Sequence, residues 1–385
     1  MHKRVAEFFA GIGLMRLGLE LEGWKVVWAN DIDLKKCAMY RHHFGADSHD
    51  LVAGDVHLLD SASLPDLELA TASFPCTDLS LAGSRHGLEG VSSSAFWGFI
   101  GALKNLGHRR PPLVLLENVT GFLTSHGGSD FRNALLALNE LGYSVDTFQI
   151  DAANFVPQSR QRLFVVGTHT KAGTGTSLQD GFLESDVRPA ALADFIFTNP
   201  DIRWNVRTLP RLPKRQHQLN DIIEDVPLNS EIWWSRERAD YLLSQMSPKH
   251  RAEAQRMMDG KAWSFATVFR RVRNGRSMAE LRNDGIAGCL RTPRGGSGRQ
   301  ILFQAGQGSF HVRLVTPREC ARLMGAPQFK IEATLNQALF GFGDAVCVPV
   351  IQWIARHYLN PALNELQPQE TSNLPKLITA GKISY

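Results

Sequence analysis

The chain of 385 residues is 43% apolar and 21% charged, long enough for two or three domains and a large buried core. With 42 Lys and Arg against 38 Asp and Glu, its net charge is +4, which excludes a polybasic tail or an acidic linker and confines any nucleic-acid surface to one part of the chain. Five cysteines, at 37, 76, 289, 320 and 347, are odd in number and never form a C-x-x-C pair, so neither a disulfide framework nor a metal site is expected, and a reducing cytoplasm fits. The basic start Met1-His2-Lys3-Arg4 is followed by Glu7, Arg16, Glu20 and Glu22 rather than by the apolar core of a signal peptide. No uninterrupted apolar run of about 18 residues occurs, so neither secretion nor membrane insertion is expected.

From Val5 to about Gly167, short apolar runs alternate with helical patterns. The runs predict strands at Val5 to Phe9, Lys25 to Asn30, Leu69 to Ser73, Leu113 to Glu117, Ser144 to Asp151 and Arg162 to Thr168, with helices notably at Leu14 to Glu22 and Asp130 to Leu141. This rhythm predicts an α/β fold, a doubly wound and mostly parallel sheet buried on both faces, with ligands beyond the carboxyl ends of its strands. After Thr168 the texture turns to Gly, Ser, Thr and Pro, then to a stretch rich in Arg and Trp without sustained periodicity. A second, smaller domain is expected over 169–312, a return to the first over 313–360, where Pro317 and Arg318 open a helix, and a polar tail over 361–385. From Lys249 to Arg299, twelve Lys or Arg face four Asp or Glu, a local charge of +8 that reads either as a solvated face or as a phosphate-contacting surface.

The candidate chemistry sits at strand ends. Phe9-Ala10-Gly11-Ile12-Gly13 follows the first strand and opens a helix, and its glycines let a ligand approach the backbone. Gly13 and Gly18 do not fit the G-x-G-x-x-G spacing, which disfavours a nicotinamide oxidoreductase. Asp31 and Asp33 close the second strand and Asp55 lies in a third acidic turn. Each could be a helix cap, but three aligned turns favour an adenosine-containing cofactor. Cys76 follows another strand, Glu117 ends the next, and Arg160 and Arg162 precede the last, so thiol, carboxyl and guanidinium groups share one rim.

With these residues the sequence resembles the DNA (cytosine-5) methyltransferase family of bacterial and phage type. The likeness runs in order through Phe9-Ala10-Gly11-Ile12-Gly13, Pro75-Cys76 with Ser80, Glu117-Asn118-Val119, and Gln158 with Arg160 and Arg162. It resumes at Arg318-Glu319-Cys320-Ala321-Arg322-Leu323-Met324-Gly325 and ends at Gly343-Asp344-Ala345-Val346, leaving about 170–310 unmatched. Glu7, Leu14 and Asp344 stand where the family commonly has Asp, Gly and Asn. The resemblance implies a Rossmann-like, S-adenosylmethionine-dependent methyltransferase domain, with the unmatched interval as its target-recognition domain.

It further implies that Cys76 attacks carbon 6 of a flipped-out cytosine in double-stranded DNA, making carbon 5 nucleophilic toward the cofactor's methyl group. Glu117 would protonate ring nitrogen 3, and Arg160 and Arg162 would bind the base carbonyl and support the thiolate and Glu117. Phe9 would stack on the cofactor's adenine, Asp31 would bind its ribose and Asp55 its amine. Gly11, Gly13, Ile32, Val56, Pro75, Phe96, Asp344 and Val346 complete the expected cofactor site. Gly83 to Ser94 reads as a mobile lid, and Ser80 and Arg85 are expected to meet DNA. In the basic window Arg270, Arg271 and Arg273 are expected at phosphates, and Arg291, Arg294 and Arg299 at phosphates or guanine edges, while Cys289 reads as structural. A monomer is expected, working within a restriction–modification system beside a cognate restriction endonuclease or as an orphan enzyme. The tRNA-methylating branch is disfavoured, because its Cys-Phe-Thr element is absent.

Overall fold

Alternation along the first strand divides the interior into two layers. In β1 (Arg4–Phe8) Val5 enters one core while Ala6 and Phe8 enter the other, so the strand is buried on both faces. The computed structural model describes residues 3–45, 51–75, 94–169, 184–273, 275–292 and 299–366. β2 (Lys25–Asp31), β3 (Leu51–Ala53), β4 (Leu69–Ala72), β5 (Leu113–Val119), β6 (Tyr143–Asp151) and β7 (Gln161–His169) complete a seven-stranded sheet of order β3-β2-β1-β4-β5-β7-β6. β3, β2, β1, β4 and β5 pair in parallel, whereas β7 runs antiparallel to both β5 and β6. All six expected strands are present; β3, of three residues, is too short to show a period.

α1 (Leu14–Glu20) and α2 (Leu34–Phe44) cover one face together with the C-terminal helices α8 (Pro317–Leu323), α9 (Leu335–Asp344), α10 (Val348–Ile354) and α11 (Asn360–Leu366). α3 (Ala95–Leu106), α4 (Ser129–Glu140) and α5 (Ala190–Thr198) cover the other. The chain's return is tight: a Cβ on Gly18 of α1 would lie 2.6 Å from Ile351 of α10, and Asn360 Oδ1 accepts from both Trp24 Nε1 and Lys3 Nζ at 2.9 Å. The helical run Leu335–Leu366 has the length and apolarity of a membrane span, but most of it is buried in this packing.

A second, antiparallel sheet of order β11-β10-β8-β9 is built from β8 (Ser264–Arg273), β9 (Arg276–Arg282), β10 (Ile301–Gly306) and β11 (Ser309–Leu314). α6 (Arg236–Ser244) and α7 (Pro248–Met258) pack on it around Ala239, Leu242, Val268, Phe303 and Val312. Both helices carry a serine cap, Ser235 and Ser247, and α7 has proline in its first turn. Their apolar residues are few, which is why the sequence shows little periodicity here. The segment after the expected boundary at 168 packs otherwise: Leu192, Ile196 and Trp204 lie in the core of the first sheet, and Arg188 forms a buried ion pair with Asp146 of β6 at 2.8 Å. Residues 184–207 thus cover the edge strand β6, which would otherwise expose unpaired backbone groups.

Candidate active site

The turn after β1 is a left-handed one. Phe9, Gly11 and Gly13 have φ of 56°, 58° and 84°, a region costly for residues other than glycine. At Gly13 a Cβ would also stand 2.3 Å from the Phe44 ring, whereas at Gly11 the space is open. Gly11 N–H donates to Asp31 Oδ2 at 2.7 Å and Asp33 N–H to Oδ1 at 2.8 Å, so the carboxylate that ends β2 holds the glycine turn. Burial raises the Asp31 pKa above the usual carboxylate value, against the pull of these amides and of Lys36.

Asn30 Nδ2 bridges Val52 O and Gly54 O, each at 2.9 Å, which brings the next acidic turn alongside. There Asp55 caps the turn Val56–Leu58 by accepting from His57 N–H at 2.9 Å. Between the two carboxylates in sequence, Ile32 is 68% exposed. Val56 and Val346 are buried, Pro75 is exposed, and Phe96 lies fully inside the core with its ring 5.2 Å from Phe74. Asp344 pairs with Lys36 Nζ at 2.6 Å, a partner the sequence reading missed. Burial disfavours the Lys36 charge, but Asp344 and then Asp31 raise its pKa overall. Each Asp31 oxygen accepts one bond and retains capacity for a second, so an open glycine turn, acceptors for hydroxyl and amine groups, and an exposed apolar side chain fit an adenosine cofactor.

One rim further along, Glu117 of β5 is 6% exposed and its Oε1 lies 2.9 Å from Arg162 Nε. The antiparallel register sets Val119 opposite Arg162 and Glu117 opposite Phe164, so the two meet on the diagonal of one sheet face. Asn118 points the other way, and its Nδ2 donates to Phe74 O at 3.2 Å, anchoring the chain that leads into Pro75. Cys76, Ser80, Arg85 and the expected lid lie outside the described residues.

Arg160 has a different role from the one expected. It is 2% exposed, and its terminal nitrogens donate to Leu290 O (2.9 Å), Gly343 O (3.0 Å) and Ala345 O (2.6 Å), with Cys289 Sγ at 3.4 Å. It rivets the segment at Cys289 and Leu290 and the α9–α10 turn to β7. Gln158 works beside it, donating to Leu323 O and accepting from Leu290 N–H. Cys289, read as structural from sequence, is therefore a direct neighbour of Arg160. Burial raises its thiol pKa, but Arg160, Arg162 and Arg291 outweigh this and bring it below the ordinary value.

The expected DNA contacts divide between the two faces of β8. Arg271 and Arg273 lie on one face and both pair with Glu280 of β9, at 3.7 and 2.7 Å. Arg270 lies on the other, toward α6. Arg291 is exposed beside Cys289, Arg299 donates to Asn336 of α9 at 2.8 Å, and Arg294 is outside the described residues.

Residues 3–360 match the family model for C-5 cytosine-specific DNA methylases. The chain is 28% identical over 359 residues to the Type II methyltransferase M1.ScrFI of Lactococcus lactis subsp. cremoris, covering 92% of this chain and 78% of that protein. It is 29% identical over 389 residues to M.DsaV of Dactylococcopsis salina, covering 99% and 94%. It is 27% identical over 361 residues to M.HhaI of Haemophilus parahaemolyticus, covering 91% and 93%. In fold it resembles the crystal structure of the S. pombe Dnmt2 methyltransferase, with a TM-score of 0.60 at 19% identity over 95% of this chain and 100% of that one.

Proposed function

The chain belongs to the C-5 cytosine-specific DNA methylase family and is a DNA (cytosine-5) methyltransferase of the Type II kind, and from this we propose that it methylates a cytosine flipped out of a specific duplex sequence, through a transient bond from Cys76 to carbon 6. The observation that carries this reading is the diagonal Glu117–Arg162 pair on the same rim as the Asn118-anchored approach to Pro75 and Cys76.

S-adenosylmethionine supplies the electrophilic methyl group. Asp31 would accept from its ribose hydroxyls and Asp55 from its adenine amine, with Phe9 and Ile32 against the ring and Gly11 and Gly13 leaving room for it. Asp344, charge-paired with Lys36, would border its amino-acid end. As the Cys76 thiolate bonds to carbon 6, the electron pair of the 5,6 double bond moves toward ring nitrogen 3, where Glu117 delivers a proton. Carbon 5 is then enamine-like. Arg162 holds Glu117 through Oε1. Loss of the carbon 5 proton to a base restores the double bond and expels the thiolate.

The test is to express the chain and its Cys76→Ser variant in a host free of cytosine methylation and to map 5-methylcytosine at single-base resolution. Methylation at one recurrent sequence, lost in the variant, is expected. Soluble protein without any methylated DNA would overturn the reading. The same map defines the specificity that a cognate restriction endonuclease would share, and a monomer suffices for one flipped base per event.

A further inference from the structure

Two guanidinium groups share one indole on the second domain. The Arg238 Cζ lies 3.8 Å from the centre of the Trp234 ring and the Arg270 Cζ 5.7 Å from it. The Trp234 backbone N–H donates to Val312 O at 2.8 Å, and its side chain packs against the core of the second sheet, which holds the platform in place. Arg238 stands in the first turn of α6, where the helix dipole adds positive rather than negative potential. Arg299 is near enough that its charge, with that of Arg270, weighs on Arg238 and lowers its pKa in addition to the effect of burial.

Several neighbouring arginines are paired with carboxylates. Arg236 pairs with Asp240, Arg256 with Glu253, Arg271 and Arg273 with Glu280, and Arg282 with Asp284. Among the described residues, Arg238 and Arg270 pair with no carboxylate, and Arg270 Nε is buried without a hydrogen-bond partner.. A cluster of like charges stacked on one ring, with a buried donor unmet, is complementary to an anion. The cluster is also continuous with the active site. Arg299 ties it to Asn336 of α9, and the segment that ends at Arg299 begins at Cys289 and Leu290, which contact Arg160.

We propose that Arg238 and Arg270, stacked on Trp234 and joined by Arg299, seat a backbone phosphate of the DNA duplex on the α6 side of the second sheet. This rests on the reading that duplex DNA is the substrate. Arg238 lies outside the basic window of the sequence, because α6 is folded back onto β8 from some thirty residues upstream.

The experiment is a titration of the full chain onto a duplex carrying its methylation sequence, across a range of salt concentrations, with wild type and the Arg238→Gln, Arg270→Gln double variant. Loss of this one phosphate contact should lower the magnitude of the log K against log salt slope by about 0.9. Binding should weaken alike on all sequences, with the methylated sequence unchanged. If the double variant melts below wild type, the exposed Arg238→Gln change alone serves, with a smaller decrease in the same direction. A wild-type slope in the variant, with methylation intact, overturns the phosphate seat and leaves the methyltransferase reading standing. Wild-type protein that neither binds nor methylates duplex DNA overturns both.

Discussion

Arg162 Nε meets Glu117 Oε1 at 2.9 Å across the diagonal of the β5–β7 pair, while Arg160, two residues earlier, turns to the carbonyls of Leu290, Gly343 and Ala345. Two arginines of one short motif therefore divide the work. One orients a carboxyl group at the site, and the other holds together the three segments that surround it.

That division predicts opposite phenotypes. Arg160→Ala leaves two buried carbonyls and one part-buried carbonyl without their donor, each buried one costing about 1–3 kcal/mol, and should lower unfolding stability by several kcal/mol in urea. Arg162→Ala should slow methyl transfer with a much smaller stability loss. Equal stability losses in the two variants would contradict the assignment.

In the proposed mechanism, Glu117→Gln removes the proton delivered to the pyrimidine. Single-turnover methylation should fall by about 10²–10³-fold, as for other removed groups that stabilise developing charge, while DNA affinity stays within a few fold. Loss of affinity in step with rate would assign Glu117 to binding instead.

Glu7 lies in β1, 1% exposed, and neither carboxyl oxygen makes a hydrogen bond. Burial pushes its pKa up to about 8, against the opposing charge of Arg16. Below the ordinary carboxyl pKa both folded and unfolded states hold the proton. Between about 4.5 and 8 the unfolded chain releases it and the folded one does not, so this group makes stability fall as pH rises through that window. Glu7→Gln should flatten the decline in melting temperature from pH 5 to 8; an unchanged pH profile would show that Glu7 is ionised in the fold.

Gly13→Ala places a methyl group into the Phe44 and Tyr40 rings at φ +84°. A stability loss of about 1–3 kcal/mol and weaker S-adenosylmethionine binding by calorimetry are expected. Wild-type values for both would remove Gly13 from the cofactor turn.

Thiol labelling should separate Cys289 from the buried cysteines. Burial pushes the Cys37 and Cys347 thiols up to about 11 and about 12, and Cys320 higher still, whereas the arginines around Cys289 lower its pKa. Iodoacetamide mapped by mass spectrometry should modify Cys289 first among these four.

The strands of the first sheet were legible in the sequence because each is a contiguous apolar run bounded by turn residues. The acidic turns at Asp31 and Asp55 and the rim positions of Glu117 and Arg162 followed from the same local rhythm, since a strand's end depends only on nearby residues. The partners did not. Lys36 with Asp344, Gln158 with Leu290, and Arg238 with Arg270 are separated by 32 to 308 positions, and a polar side chain carries no periodic mark of what it will meet. The sequence by itself determined the layered α/β framework and the residue types on its rim. Only the tertiary structure decided which arginine orients the carboxyl group, which rivets the site, and which remain free of carboxylates, because charge pairing is set by distances that exist only once separate segments pack together.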